Sequence, residues 1–136
     1  MSSNIKMSTA ARNALLDSIT TYAGGSAKLR IYSGTQPTDA NTAIGAQVLL
    51  STLICNATFA PAASGGVLTL NAISNDTDAA ATGTATWFRL LKSDGTTVVL
   101  DGTVGTSGAD LNLNTTSIVQ HATVSVTSAT ITAPNA

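Results

Sequence analysis

Residue types with intrinsic chemical reactivity are few in this chain of 136 residues, which has one histidine, His121, and one cysteine, Cys55. A general base needs a nucleophile and an orienting group close to it. Because the chain has 23 threonines and 14 serines, a hydroxyl near His121 is not evidence of a catalytic site. One His and one Cys cannot form an intrachain disulfide or a Cys/His zinc site. We therefore interpret His121 as a residue on a strand surface and Cys55 as core packing, and we expect no catalytic residue and no enzyme activity.

The acidic residues also lack the spacing of a known site. The chain contains no Glu, and its densest acidic stretch, Asn-Asp-Thr-Asp at residues 75–78, lacks the bidentate Glu and the glycine of a calcium loop. The glycine-rich residues 102–108 lack the lysine and the helix start of a phosphate-binding loop. These patterns predict a solvated turn at residues 75–78, and neither a metal ion nor a cofactor.

Charge and hydropathy exclude further classes of protein. Charged residues make up 10% of the chain, the formal net charge is -1, and the six cations are scattered rather than gathered in a basic stripe. We therefore expect no nucleic-acid partner. No apolar run approaches the roughly 20 residues of a spanning helix, and the N-terminus lacks the apolar core of a signal peptide, so we expect no membrane segment.

The elements that position these residues begin with one helix. Residues 1–7 form a polar N-terminal arm with apolar side chains at Ile5 and Met7. A helix is predicted at about residues 8–23, because Ser8 is a good N-cap and Gly24 a good terminator. Its predicted apolar face consists of Ala11, Leu15, Ile19 and Tyr22.

After Gly25 the pattern becomes typical of strands and turns. Residues 27–32 alternate, and residues 33–41 form an exposed loop. Residues 48–55 are interpreted as a strand buried on both faces in preference to the alternative of a short helix. Further strands are predicted at residues 67–73, 84–92 and 97–104, at residues 111–113, and in one amphipathic closing run at residues 118–131. We expect Trp87 and Phe88 to face opposite sides of their strand, and Tyr22 and Tyr32 to form a small cluster that holds the helix on the sheet.

The order of elements indicates one domain over residues 8–136. Six to eight short strands with turn signals between them, and one helix in front, are typical of a mainly β fold. The predicted architecture is an antiparallel β-sandwich or jelly roll with one short N-terminal helix.

Three segments carry a resemblance to a known family. They are Ala-Arg-Asn-Ala-Leu-Leu-Asp at residues 11–17, Leu-Arg-Ile-Tyr-Ser-Gly-Thr-Gln-Pro at residues 29–37, and Gly-Thr-Ala-Thr-Trp-Phe-Arg-Leu at residues 83–90. In this order they resemble a family of small virion proteins of tailed bacteriophages. Within that family the chain is most similar to capsid cement, or decoration, proteins of the jelly-roll type.

The resemblance implies a structural role in the virion. Cement proteins sit on the outer capsid surface, so the implied partner is the major capsid protein, with a second or third copy of the chain at a symmetry axis. The chain would be made in the bacterial host cytoplasm. The expected contact residues carry apolar or aromatic groups outside the predicted core, or lie in the exposed loop, and are Ile5, Met7, Tyr32, Thr35, Gln36 and Pro37. A tail or neck subunit and, less favoured, a carbohydrate- or receptor-binding module remain alternatives.

The dipeptide Asp94-Gly95 between two apolar runs predicts a hairpin turn that needs a positive φ at Gly95. Replacing Gly95 with Val should therefore destabilise the fold by about 1–2 kcal/mol, since a β-branched residue rarely adopts that conformation. Urea unfolding measures the effect, and a free energy of unfolding equal to that of the wild type would argue against this turn.

Overall fold

The computed structural model describes residues 4–134, which form one helix and nine strands. A mainly β chain with one N-terminal helix is thereby confirmed. In chain order the elements are α1 (Thr9–Ala23), β1 (Lys28–Tyr32), β2 (Leu49–Ile54), β3 (Val67–Thr69), β4 (Gly83–Thr84), β5 (Trp87–Leu91), β6 (Val98–Gly105), β7 (Leu111–Leu113), β8 (Ser117–Ile118) and β9 (Val126–Thr132).

Helix α1 begins and ends where the sequence predicts. The Ser8 side chain accepts a hydrogen bond from the amide of Ala11, and Gly24 ends the helix with a φ of 71°. The predicted apolar face is correct at Ile19, which packs against the core, and wrong at its other positions. Leu15 and Tyr22 are 47% and 51% exposed, whereas the buried positions are Leu16 and Ala23.

Polar side chains on the inward face of α1 explain this rotation. Arg12 donates from Nη2 to the carbonyl of Ala133, at 3.0 Å. Asn13 and Asp17 accept hydrogen bonds from the backbone amides of Gly66 and Ala63, at 2.9 and 2.8 Å. These bonds tie residues 13 and 17 to the loop before β3 and residue 12 to the residue after β9, so Leu15 and Tyr22 lie on the outer side of α1. A helical-wheel plot of the apolar residues does not show these polar contacts, so it cannot predict which face of α1 is buried.

Seven strands form one sheet in the order β2-β1-β5-β6-β7-β9-β3, and β4 pairs with β8 in a small second sheet. All pairs are antiparallel except β6 and β7, which run parallel, so the sheet is mixed where an antiparallel arrangement was predicted. Leu29, Phe88 and Leu90 from the first half of the sheet line the same small internal cavity as Leu111, Ala129 and Ile131 from the second half. The two halves therefore face each other across one core, as in a sandwich.

The hairpin of β5 and β6 is confirmed at Asp94 and Gly95. Gly95 has a φ of 72°, and its amide donates to the carbonyl of Lys92 at 3.0 Å. The Asp94 carboxylate accepts hydrogen bonds from the side chain of Thr97 and from the amides of Thr96 and Thr97, and these bonds lower the pKa of Asp94 from its usual value. Asp94 thus holds the turn closed.

The predicted strand at residues 48–55 is confirmed as β2, but it is buried on both faces only in its middle, at Leu50 and Ser51, since Val48 and Ile54 are 48% and 39% exposed. Two other predicted strands are shorter or divided. Strand β3 ends at Thr69 rather than at residue 73. The predicted closing strand at residues 118–131 is wrong as one element, since β8 ends at Ile118 and β9 begins at Val126. Between them His121 has a φ of 71°, which breaks a strand. The histidine is therefore on a surface turn rather than on a strand.

Strand β6 leaves room for a core aromatic ring at Gly102. A Cβ at this position would lie 2.5 Å from a ring carbon of Phe88, its cross-strand partner. The Gly102→Ala variant should lose about 1–3 kcal/mol of unfolding free energy in urea, because Phe88 must leave its packed position. Gly45→Ala is the control, since the new methyl group meets only an ordinary contact there. Equal stability of the two variants would contradict this packing.

Candidate functional site

Strand β5 is buried on both faces of the sheet, and its outer face carries the most elaborate side-chain cluster. Successive side chains of a strand point to opposite faces. Phe88 and Leu90 belong to the main core, whereas Trp87, Arg89 and Leu91 are buried outside it. The prediction that Trp87 and Phe88 face opposite sides is therefore confirmed. We call Tyr32, Trp87, Arg89 and Asp101 the outer-face cluster.

An aromatic stack and an ion pair build this cluster. The rings of Tyr32 and Trp87 are stacked, with centroids 4.7 Å apart and planes inclined by 16°. The guanidinium carbon of Arg89 lies 5.5 Å from the centre of the Trp87 ring, within cation–π range. Arg89 donates from Nε to Oδ1 of Asp101 at 2.7 Å and from Nη2 to Oδ2 at 2.9 Å. The guanidinium is thus fixed by both a carboxylate and an indole.

Burial makes the bidentate pair important for the fold. The side chains of Arg89 and Asp101 are 5% and 4% exposed. Hydrogen bonding to Asp101 raises the pKa of Arg89 further above its already high value, against an opposing effect of burial. Two buried charges are tolerated only with good geometry, and removing one partner leaves the other charge uncompensated.

A loop at residues 33–47 crosses the outer face and is held by its own hydrogen bonds. Its ends are joined where the amide of Ser33 donates to the carbonyl of Val48 at 3.0 Å. Thr86 donates from Oγ1 to the carbonyl of Gly34, and Gln47 donates from Nε2 to the carbonyl of Thr35, both at 2.6 Å. The loop is therefore anchored to the residue that precedes β5 and is held by hydrogen bonds within the chain.

Between this loop and the β5–β6 hairpin lies an open groove of about 470 Å³, which we call the outer-face groove. Its floor and walls combine guanidinium groups with apolar and hydroxyl side chains. The groove is lined by Arg30, Tyr32, Ala40, Asn41, Thr42, Ala43, Ile44, Arg89, Leu91, Thr96 and Val98. Such a surface suits a partner segment with both a negative charge and an apolar group.

The expected contact residues divide between two places. Thr35 and Gln36 are exposed on the 33–47 loop and Pro37 is half-buried. Tyr32 is only 5% exposed, because it stacks on Trp87, so its expected exposure is wrong although it still lines the groove. Nor does Tyr32 cluster with Tyr22, whose ring lies 4.3 Å from the Nζ of Lys92.

The N-terminal arm precedes α1 and is only partly described. Residues 1–3 of the predicted arm lie outside the described residues. Ile5 is 66% exposed and Met7 is half-buried. The contact roles of these two residues, like those of Thr35, Gln36 and Pro37, stay predictions.

Among the described residues, His121 and Cys55 do not form a second cluster like that of the outer face. His121 Nδ1 lies 2.5 Å from Oδ1 of Asp78, with both side chains 73% exposed. Cys55 is buried, and burial raises the pKa of its thiol to about 11, which disfavours the reactive thiolate. Core packing of Cys55 is confirmed.

The predicted solvated turn at residues 75–78 is wrong in one respect. Asp76 is half-buried and accepts hydrogen bonds from the hydroxyl of Ser51 at 2.7 Å and from the amide of Thr52 at 3.3 Å. It therefore fastens this segment to β2. Nowhere within residues 4–134 do three or more His, Cys or acidic side chains converge as metal ligands.

Comparison of the chain with protein-family models, with curated proteins and with solved structures finds no match. In the described part of the chain, no helix has the length and apolar character needed to cross a bilayer.

Sequence reasoning missed the pairing of Arg89 with Asp101. The predicted hairpin places residues near 89 opposite residues near 100, but it does not fix which residue is the partner of Arg89. The structure has an irregularity between Leu90 and Leu91, and this shift of register brings Asp101 opposite Arg89. A regular two-residue hairpin would place Leu100 there instead.

The ion pair of the outer-face cluster is testable by removing one charge. Asp101→Asn should lower the free energy of unfolding by about 2–4 kcal/mol, because Arg89 stays buried without its carboxylate. Asp78→Asn is the matched control, since it breaks an exposed contact and should cost little. Urea unfolding followed by Trp87 fluorescence compares them, and equal losses would contradict the assigned importance of the buried pair.

Proposed function

We propose that this chain is a structural protein of a tailed-phage virion, namely a cement protein on the outer capsid surface. It binds the major capsid protein and bridges neighbouring subunits of the shell. A dimer or trimer of the chain at a symmetry axis fits this proposal. The proposal rests on the resemblance of three sequence segments together with one structural observation.

That observation is that two of the segments that carry the resemblance lie side by side in the structure. Residues 29–37 include most of β1 and the start of the 33–47 loop, which we call the covering loop, and residues 83–90 include most of β5. The two strands are hydrogen-bonded neighbours, with Tyr32 opposite Trp87. The Thr86 hydroxyl then holds the carbonyl of Gly34. Segments more than 45 residues apart in sequence thus build one surface unit.

This surface unit has properties that favour protein binding. Thr35 and Gln36 are displayed on a loop whose backbone is already fixed, so little conformational entropy is lost when a partner binds. The hydroxyl and amide groups support a wet, hydrogen-bonded interface. A protein that binds only the assembled shell stabilises it by mass action over many copies.

The edge of the large sheet bears on the alternative of a tail or neck ring. The free edge of β2 is occupied by residues of the following segment, since Ser74 donates to Ile54 and Ala80 donates to Leu50, at 3.0 and 2.8 Å. Assembly by adding a strand of the next copy at β2 would have to break these bonds. Contacts through the loop and outer face are favoured over such ring formation.

Binding to sugars is supported less well. A carbohydrate module presents exposed aromatic rings as platforms, and among the five aromatic residues only Tyr22 is exposed. Both Trp87 and Tyr32 are buried in the outer-face cluster.

The proposal is tested with purified chain and capsid shells that lack it. The wild-type chain should sediment with the shells and raise the temperature at which they disassemble. Thr35→Arg combined with Gln36→Arg should reduce binding at least tenfold, because two bulky charges enter the proposed contact. Thr106→Arg with Ser107→Arg is the control, since these residues are exposed on another loop. The cement role would be refuted if the wild-type chain did not sediment with the shells, or if it assembled into rings in their absence.

A further inference from the structure

The outer face of the sheet contains two arginines placed directly opposite each other. Arg30 on β1 is the cross-strand partner of Arg89 on β5, and Arg89 is in turn the partner of Asp101 on β6. Like charges at opposing positions destabilise an antiparallel pair. The carboxylate of Asp101 forms its ion pair and both of its hydrogen bonds with Arg89, and none with Arg30.

Arg30 lacks such compensation. Its Nε is buried without a hydrogen-bond partner, and no ion pair of its side chain with any residue of the 4–134 range is present. Lys28, two residues earlier, extends toward the same place, since a Cβ on Gly95 would lie 3.1 Å from Nη2 of Arg30 and 3.4 Å from Nζ of Lys28. Two cations therefore gather beside the tip of the β5–β6 hairpin.

The carboxylates of Asp94 and Asp39 accept hydrogen bonds within their own loops. Asp94 accepts from Thr96 and Thr97 in the hairpin turn. Asp39 accepts from the amide of Asn41 and the hydroxyl of Thr42 in the covering loop. Neither carboxylate forms an ion pair with Arg30, so the half-buried guanidinium of Arg30 is available to an incoming negative charge.

We infer that the outer-face groove binds an acidic segment of a partner polypeptide, with one carboxylate held by Arg30 and assisted by Lys28. The Arg89–Asp101 pair in the adjacent strands shows that a guanidinium on this face can bind a carboxylate through charge-assisted hydrogen bonds. This inference goes beyond the cement role, because the groove can bind an acidic segment whatever assembly the chain belongs to.

A protein segment fits the groove better than a nucleic acid. Apolar side chains of Leu91, Val98 and Ile44 line it beside Arg30, which suits a peptide with an apolar residue next to its acid. Nucleic-acid binding relies on many phosphate contacts, whereas Arg30 is the one groove-lining cation without an ion pair among the described residues, Lys28 lies beside the groove, and the net charge of the chain is -1.

The test uses the full chain and the capped peptide acetyl-Gly-Asp-Leu-Asp-Gly-amide. Titration followed by NMR should shift the Nε–H signal of Arg30 and the amide signals of residues 41–44, and binding should weaken with added salt. The Arg30→Gln variant should bind at least tenfold more weakly. Lys6→Gln removes the same charge outside the groove and should bind like the wild type.

Three results would overturn the inference. These are no shift with millimolar peptide, equal shifts with a peptide that has Asn in place of Asp, and equal affinities of the Arg30→Gln and Lys6→Gln variants. A single-stranded oligonucleotide that binds through Arg30 more tightly than the peptide would replace the polypeptide as occupant. Because the assay contains no capsid, its failure leaves the shell-binding experiment unaffected, and the reverse also holds.

Discussion

The bidentate contact between Arg89 and Asp101 is the constraint around which the outer face of this protein is organised. A guanidinium at the centre of a sheet is stable only if a carboxylate meets it with good geometry. The register of the β5–β6 hairpin supplies that carboxylate. Once Arg89 is fixed, its guanidinium lies over Trp87, and Trp87 in turn stacks on Tyr32 of the neighbouring strand. One ion pair thus links three strands on the side away from the core.

In the proposed function, the covering loop and the cluster beneath it form the docking surface. The loop crosses the face, is tied to β5 through Thr86, and leaves the groove open beside Arg30. A loop that is already fixed on a buried cluster and that exposes polar groups suits a docking surface, because little conformational entropy is lost when a partner binds. The uncompensated Arg30 adds a charge preference to that surface. The cement role and the acidic-segment inference depend on this unit in different ways, the first on Thr35 and Gln36 and the second on the groove.

Local signals in the sequence predicted most elements, and tertiary contacts decided the rest. The cap at Ser8, the terminator at Gly24 and the turn at Gly95 are chemical requirements of single positions, and all three are confirmed. The helix face was wrong because polar docking contacts rotated it. The closing strand was wrong because His121 adopts a positive φ, which is uncommon for a residue other than glycine. The contact of Arg89 with Asp101 depends on a register shift that no local pattern encodes.

The most direct measurement of the cement role is cryo-electron microscopy of the intact virion at side-chain resolution. We expect density for this chain on the outer shell, bridging neighbouring capsid subunits, with Thr35 and Gln36 at the contact. Density for the chain in the tail or neck, or no density anywhere in the virion, would contradict the cement role.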